Sequence, residues 1–288
     1  MEKTVKKNKR RKVNGKFLFI GILVFLLGAY LIFITNNENA KPVNLEEYAN
    51  SIDVYFLKMD EADATVIINN DKVTVIDTGL SEDQEYVINR LKELNVEKIA
   101  YLILTHPDKD HIGNASEIIK NFEVETVIQS THEKGSKIQD TLDTTILENN
   151  ITNLMLNNAY SFSSSGVKYN IFPASQKYNK SNNNSLVTLI TFGTTKILMT
   201  GDIEKERIEE VVALDLGSCD ILKLPHHGRY NDNSIIFLDM VKPQHVVVTA
   251  SMVDEPLATY FNDNQTNVYY TANNEVHFTT DGKEVKVG

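Results

Sequence analysis

A single cysteine, Cys219, in a chain of 288 residues excludes an intrachain disulfide, so stability outside a reducing compartment must come from ordinary packing. No internal repeat is evident. Charge is missing altogether from Phe17 to Thr35, 19 consecutive residues, and a helix of that length crosses a bilayer core of about 30 Å. Positive charge is scarce beyond the amino end. Lys3, Lys6, Lys7, Lys9, Arg10, Arg11, Lys12 and Lys16 face Glu2 alone, so the head carries +7 and the remainder −17 of the formal net charge of −10. A surface of that sign repels polyanions and excludes non-specific nucleic-acid binding. A phosphate-bearing substrate would need a locally positive site, which a bound metal ion supplies economically.

The basic head before the apolar run places the N-terminus in the cytoplasm and everything after Thr35 outside. The run exceeds the usual apolar region of a cleaved signal peptide, about 7 to 15 residues, and the small-residue site ending at Ala40 has Glu38 at minus three. The expected organisation is a basic cytoplasmic head over 1–16, a transmembrane helix over 17–35, a polar linker containing Pro42 over 36–50, and one large layered domain over 51–288. This describes a single-pass protein of the cell membrane with an extracytoplasmic domain. About 250 residues beyond the helix suffice for one substantial core.

Ile52 to Lys58, Ala64 to Asn69 and Lys72 to Asp77 are rich in β-branched and aromatic residues and read as an antiparallel meander. Ser81 to Leu94 has Val87, Ile88, Leu91 and Leu94 at helical spacing with Ser81 as N-cap. Ile99 to Thr105 reads as a strand, and Ile112 to Phe122 as a helix. Strands are expected again near Tyr169 to Pro173, Leu186 to Phe192, Lys196 to Thr200, Asp220 to Leu224 and Gln244 to Thr249, with a helix near Glu204 to Leu214. The tail from Asn267 to Val287 reads as a hairpin. Two strand-rich halves with covering helices predict an α+β fold, a four-layer αββα sandwich.

The strongest chemical signal is Thr105-His106-Pro107-Asp108-Lys109-Asp110-His111, directly after an apolar strand. Four potential metal ligands, His106, Asp108, Asp110 and His111, fall within six positions. A strand end holds such groups on a rigid rim while the loop lets them converge. Asp77-Thr78-Gly79, Gly201-Asp202-Ile203-Glu204 and His226-His227-Gly228 also follow apolar strands. Each alone is a commonplace turn; their shared placement at strand ends makes them candidates.

These residues resemble the metallo-β-lactamase-fold hydrolases, whose signature is His-x-His-x-Asp-His followed by Gly-Asp and His motifs. They are similar in particular to the extracytoplasmic nuclease-like domain of ComEC-type competence proteins, where His-Pro-Asp-x-Asp-His puts Asp at the second ligand position, here Asp108. The same subfamily carries Asn-Asn-x-Ser-Leu-Val, present as Asn182 to Val187, and Leu-Lys-x-Pro-His-His-Gly, present as Leu222 to Gly228. The resemblance spans Ile52 to the C-terminus. Arg229 stands where Ser is usual, the opening Gly-Asp-Ala appears as Ala62-Asp63-Ala64 after Glu61, and a later Gly-His-Pro is absent.

The resemblance implies that Asp110, His111, Asp202 and one of His226 or His227 hold one divalent metal, with His106 and Asp108, sharing Asp202, holding a second. Adjacent residues of an extended chain point opposite ways, so one of the two His is a ligand, His227 preferred, and the other a substrate contact or proton donor. Asp110, His226 and Asn183 are then the catalytic candidates. Asp77 orients a ligand His; Asp63, Asn182, Ser185 and Glu204 are supporting or substrate residues, and Arg229 a phosphate contact. One or two Zn²⁺ or Mn²⁺ ions are expected, Asp108 favouring the harder ion. The expected activity is hydrolysis of a phosphodiester or other phosphate ester, in nucleic acid or an envelope polymer, by a metal-activated water. A binding module without catalysis is the alternative, and no protein partner is implied.

Overall fold

The computed structural model describes residues 51–288. The expected head, transmembrane helix and linker lie outside the described residues. Among the described residues no helix is long and apolar enough to cross a membrane.

Six strands open the domain: β1 (Ile52–Phe56), β2 (Ala64–Asn69), β3 (Lys72–Thr78), β4 (Lys98–Leu104), β5 (Glu123–Ser130) and β6 (Thr152–Leu156). Seven follow: β7 (Tyr160–Ser164), β8 (Val167–Phe172), β9 (Val187–Phe192), β10 (Thr195–Met199), β11 (Ile221–Lys223), β12 (His245–Val248) and β13 (Asn267–Tyr270). Two more, β14 (Val276–Thr280) and β15 (Val285–Val287), return to the first group. One sheet runs β15-β14-β1-β2-β3-β4-β5-β6 and the other β13-β12-β11-β10-β9-β8-β7. The meander expected of the first three strands is present, antiparallel throughout. From β3 to β6 the strands are parallel, as are β10 to β13.

Alternation along the strands divides the core into three. Ile52, Val54, Phe56, Ile76 and Ile103 of the first sheet meet Ile190, Ile197, Ile221 and Val247 of the second between the sheets. The opposite face of the first sheet, with Val75, Leu102 and Val127, is covered by α1 (Gln84–Glu93), α3 (Ala115–Asn121) and α4 (Lys137–Glu148), while the short α2 (Lys109–Ile112) sits at the strand ends. The outer face of the second, with Leu198, Leu222 and Val246, is covered by α5 (Lys205–Ala213), α6 (Ser234–Val241) and α7 (Glu255–Asp263). Each buried aliphatic side chain contributes about 1.5–3 kcal/mol. The molecule is the layered α+β sandwich expected, with Cys219 free and buried.

Three expectations are corrected. Ser81 is not the N-cap of α1: it opens a 3₁₀ turn, its hydroxyl donates to the Gly113 carbonyl at 3.1 Å, and the helix begins after Asp83. The helix expected over Ile112 to Phe122 is broken at Gly113–Asn114. A Cβ at Gly113 would stand 2.2 Å from the Gly79 carbonyl oxygen, so this close approach requires glycine. The tail is no single hairpin. β13 adds to the second sheet beside β12, and only β14 and β15 pair antiparallel, in the first.

Candidate metal centre

The parallel strands β3, β4, β10, β11 and β12 end at one edge of the sandwich, and the loops beyond them carry the polar residues. Side chains outside the carboxyl ends of parallel strands are a recurrent ligand platform in sheets with helical cover. Asp63, which leads into β2, arrives at the same edge because β2 is antiparallel to β3.

Asp63, His111, Asp202 and His227 are all buried, and each offers a ligand atom within 4.8 Å of the others. Asp110 completes the group from the cleft side. His111 Nε2 stands 3.3 Å from Asp202 Oδ1 and 3.5 Å from Asp110 Oδ2. His227 Nε2 stands 3.1 Å from Asp202 Oδ2 and 3.3 Å from Asp110 Oδ2. Tetrahedral coordination with bonds of about 2.0–2.1 Å has ligand–ligand edges of about 3.3 Å, so each separation is compatible with a shared divalent ion, the two imidazoles meeting different oxygens of Asp202. The buried Nε2 of His111 has no hydrogen-bond partner, as a ligand nitrogen requires.

His111 is fixed from behind. Its Nδ1 lies 2.8 Å from Asp77 Oδ2, and Asp77 also accepts from the Thr105 backbone N–H at 2.8 Å and the Thr105 hydroxyl at 2.7 Å. Asp77 itself has φ 57, a left-handed conformation tolerated by aspartate at a strand end. Asn114 ties this turn to the helix that carries His111: its amide donates to the Thr78 carbonyl at 2.7 Å and the Leu80 carbonyl at 2.6 Å. Asn114 was not legible as a site residue, since it lies beyond the ligand motif in a segment that reads as helix.

His226, His227 and Gly228 all have positive φ, at 48, 53 and 86. The expectation of an extended pair is therefore corrected: the two His lie in a left-handed turn, at a cost on the order of 1–3 kcal/mol for each. A Cβ at Gly228 would stand 2.8 Å from Val253 Cγ1, so glycine is needed to close the turn. The turn sends His227 into the cluster, its Nδ1 2.9 Å from the Thr249 hydroxyl. His226 goes to the rim, its Nε2 3.3 Å from the Asn182 amide and its Nδ1 3.9 Å from Glu204 Oε1.

His106 packs on His111, the ring centroids 4.1 Å apart, but neither it nor Asp108 belongs to the four-residue group. His106 Nδ1 is 3.1 Å from the Thr105 hydroxyl, while its buried Nε2 has no partner. Asp108 accepts from Lys134 Nζ at 2.8 Å through Oδ2, and its Oδ1 is likewise buried and unpartnered. Both orphaned atoms are of ligand type, although His106 and Asp108 form no metal-competent group among the described residues.

The Ser185 hydroxyl donates to the Asn182 carbonyl at 2.6 Å and accepts from the Asp202 backbone N–H at 3.2 Å, holding the turn that carries Asp202. Asn183 is not free in the cleft. Its amide donates to Glu206 at 2.8 Å and its oxygen accepts from the Glu204 N–H at 2.7 Å, so it secures the start of α5. Arg229 donates to Glu61 at 3.0 Å across an open cleft of about 590 Å³, lined also by His226, His227, Tyr230 and Asp254.

Without a metal the group balances its charge with protons. Burial pulls His111 down, but Asp202, Asp77 and Asp63 hold its pKa well above the ordinary value. Burial likewise opposes charge on His227, yet Asp202 and the hydrogen bonds with Asp110 and Asp202 raise it to about 10. Burial would raise Asp202, but His111, His227 and Lys223 keep it well below the usual carboxylate range. Burial holds Asp77 above that range despite His111. His106, pushed down by burial and by neighbouring His111, falls to about 3 and is neutral.

Fold and ligand-bearing edge are those of a metallo-β-lactamase-type sandwich, and a family model described as the metallo-beta-lactamase superfamily matches residues 59–137. Those residues are what the chain shares with that superfamily, and two curated proteins are similar over more of its length. It is 30% identical over 193 residues to Recombination protein 2 of Haemophilus influenzae, covering 65% of this chain and 23% of that protein. It is 26% identical over 183 residues to ComE operon protein 3 of Bacillus subtilis, covering 58% and 22%. The chain thus spans about a quarter of the length of the curated relatives it matches. Among solved structures, the metallo-β-lactamase fold protein YhfI of Bacillus subtilis superposes with a TM-score of 0.52 at 11% identity, over 83% of this chain and 100% of that one.

Proposed function

We propose that the domain is a metal-dependent hydrolase of phosphate esters, anchored outside the cell membrane by one N-terminal helix. The observation that carries the reading is the set of ligand separations of 3.1 to 3.5 Å among Asp110, His111, Asp202 and His227 at the floor of an open cleft. Zn²⁺ or Mn²⁺ suits this mixed imidazole and carboxylate set, and His106 with Asp108 is the candidate for a second ion. Such an ion supplies Lewis acidity and an acidified water at neutral pH.

The chain's own groups supply the rest. Asp110 is the most open of the four, its side chain 24% exposed, and is placed to accept a proton from the attacking water. Burial lowers the pKa of His226, which suits a neutral imidazole donating a hydrogen bond to substrate at the rim. Arg229 can exchange Glu61 for a phosphate oxygen. Asp60, Glu61, Glu204 and Asp254 outnumber Lys109 and Arg229 along the cleft. Each phosphate of a long strand needs a basic partner, so a compact phosphate ester of the envelope fits this cleft better than extended DNA.

The test is metal content and hydrolysis of bis-p-nitrophenyl phosphate by the purified full chain in detergent, reloaded with Mn²⁺ or Zn²⁺. Bound metal with turnover that disappears in Asp110→Ala supports the enzyme. A chain that takes up no metal and cleaves nothing is a binding module that kept the fold. Steep loss of binding with salt would indicate a polyanionic substrate instead of a small ester.

A further inference from the structure

We infer that Lys223 is a positioning residue of this site, an internal cation whose ion pair keeps Asp63 out of the ligand set. The inference rests on the metal-dependent reading above and assigns a residue that reading leaves without a role.

Lys223 ends β11, whose preceding residues point alternately to the core between the sheets (Ile221) and to the helix-covered face (Leu222). By period two its side chain points between the sheets, where an aliphatic residue is the rule. The side chain is 1% exposed. A lysine so deeply buried is found only where its charge is matched. Here Nζ ion-pairs with Asp63 Oδ2, donates to the Gly201 carbonyl at 3.1 Å and stands 3.3 Å from Asp202 Oδ1.

Held in that pairing, Asp63 faces the Nδ1 atoms of both imidazoles and not the Nε2 atoms that converge on the candidate ion position. Its Oδ1 is 3.4 Å from Nδ1 of His227 and its Oδ2 is 3.7 Å from Nδ1 of His111. Asp110 and Asp202 instead meet the Nε2 atoms of the same two rings. Although Asp63 is near enough to be grouped with the ligands, it lies behind them with Lys223. The ammonium answers one oxygen each of Asp63 and Asp202, which would otherwise repel each other, and leaves Asp202 Oδ2 directed at His227.

Without that ammonium, Asp63 is a free carboxylate within 4.8 Å of the other ligand atoms that can turn from the Nδ1 side and become an extra ligand. The test is the visible spectrum of the full chain loaded with Co²⁺ in detergent, recorded for wild type, Asp63→Asn, Lys223→Met and the double variant Lys223→Met/Asp63→Asn. Expected are a wild-type spectrum and Co²⁺ stoichiometry for Asp63→Asn, and for Lys223→Met a weaker d–d band at shorter wavelength as the coordination number rises. The double variant, which removes the whole buried ion pair, should regain the wild-type spectrum. A merely structural lysine would change unfolding temperature without that spectral shift and its reversal. Loss of Co²⁺ in Asp63→Asn, or no return toward wild type in the double variant, overturns the assignment while leaving the metal-dependent reading intact. A Lys223→Met chain that fails to fold leaves Asp63→Asn and the double variant to decide. A wild-type chain that binds no Co²⁺ overturns both.

Discussion

The carboxylate of Asp77 lies 2.8 Å from Nδ1 of His111, with no exposed face on either side chain to let water substitute. With a metal bound, this contact would keep the proton on Nδ1 and free the Nε2 lone pair that faces Asp110 and Asp202. Outer partners of ligand imidazoles are generally worth about 10–100-fold in metal affinity. Asp77→Ala is therefore expected to weaken binding of Zn²⁺ or Mn²⁺ by that factor in competition with a chromophoric chelator. An affinity equal to wild type would show that Thr105 alone orients the ring.

Arg207 makes a separate prediction about stability. It is fully buried on α5, where Nη2 donates to the Phe172 carbonyl at 2.7 Å and Nη1 stands 2.9 Å from Glu210. Arg207→Met keeps much of the aliphatic stem but leaves the carbonyl unsatisfied and Glu210 without its cation. The expected loss is about 1–3 kcal/mol, read as a lower midpoint in urea with unchanged metal stoichiometry. A parallel loss of metal would mean that α5 also sets the position of Asp202.

Most of the candidate centre could be read from the sequence because its ligands sit at the ends of apolar strands, where a polar residue breaks an otherwise continuous pattern. His106, Asp108, Asp110, His111, Asp202 and His227 are visible in that way. Lys223 has the same signal, a charge between Leu222 and Leu224, but spacing does not show that its side chain turns inward. The left-handed turn at His226 and His227 was hidden because neither residue is a glycine. Helices α4 and α6 escaped for opposite reasons. The inner face of α4 mixes Gln139 and Thr145 with Leu142 and Ile146, which dilutes the apolar period, whereas Ser234 to Val241 is nearly all apolar and has none. The division of the tail between two sheets depends on register with distant strands, and local pattern carries no record of it.

Arg229 and Glu61 are 55% and 64% exposed across the cleft, and pairs of that kind contribute little to stability. Arg229→Ala should shift the unfolding free energy by less than about 0.5 kcal/mol. If the guanidinium meets substrate phosphate, the same variant should raise KM for a phosphate ester about tenfold, the loss of one charge-assisted contact worth about 1.4 kcal/mol. Arg229→Lys should recover only part of it, because an ammonium cannot present the two-pronged contact. Unchanged KM in Arg229→Ala would leave the arginine as rim.

The protons on the imidazoles make stability depend on pH in a way that metal reverses. In the chelated chain the raised pKa of His227, about 10, contributes stability that is complete below the ordinary histidine value and is lost as pH rises through 10. His111, also raised, acts in the same direction. His106 has its pKa lowered to about 3, so its contribution is present above the ordinary value of 6.5 and is lost as pH falls toward 3. Asp202, held low by its cationic neighbours, adds to the acid limb below the ordinary carboxylate range. The unfolding temperature of the chelated chain should therefore peak near neutral pH and fall on both sides. Metal must displace the imidazole protons to bind, so its affinity should climb over the interval from 6.5 to 10 in which the chelated chain weakens, with protons released on loading. A chelated chain with constant unfolding temperature across that interval would show His227 to be neutral, and metal uptake would then release no proton from it.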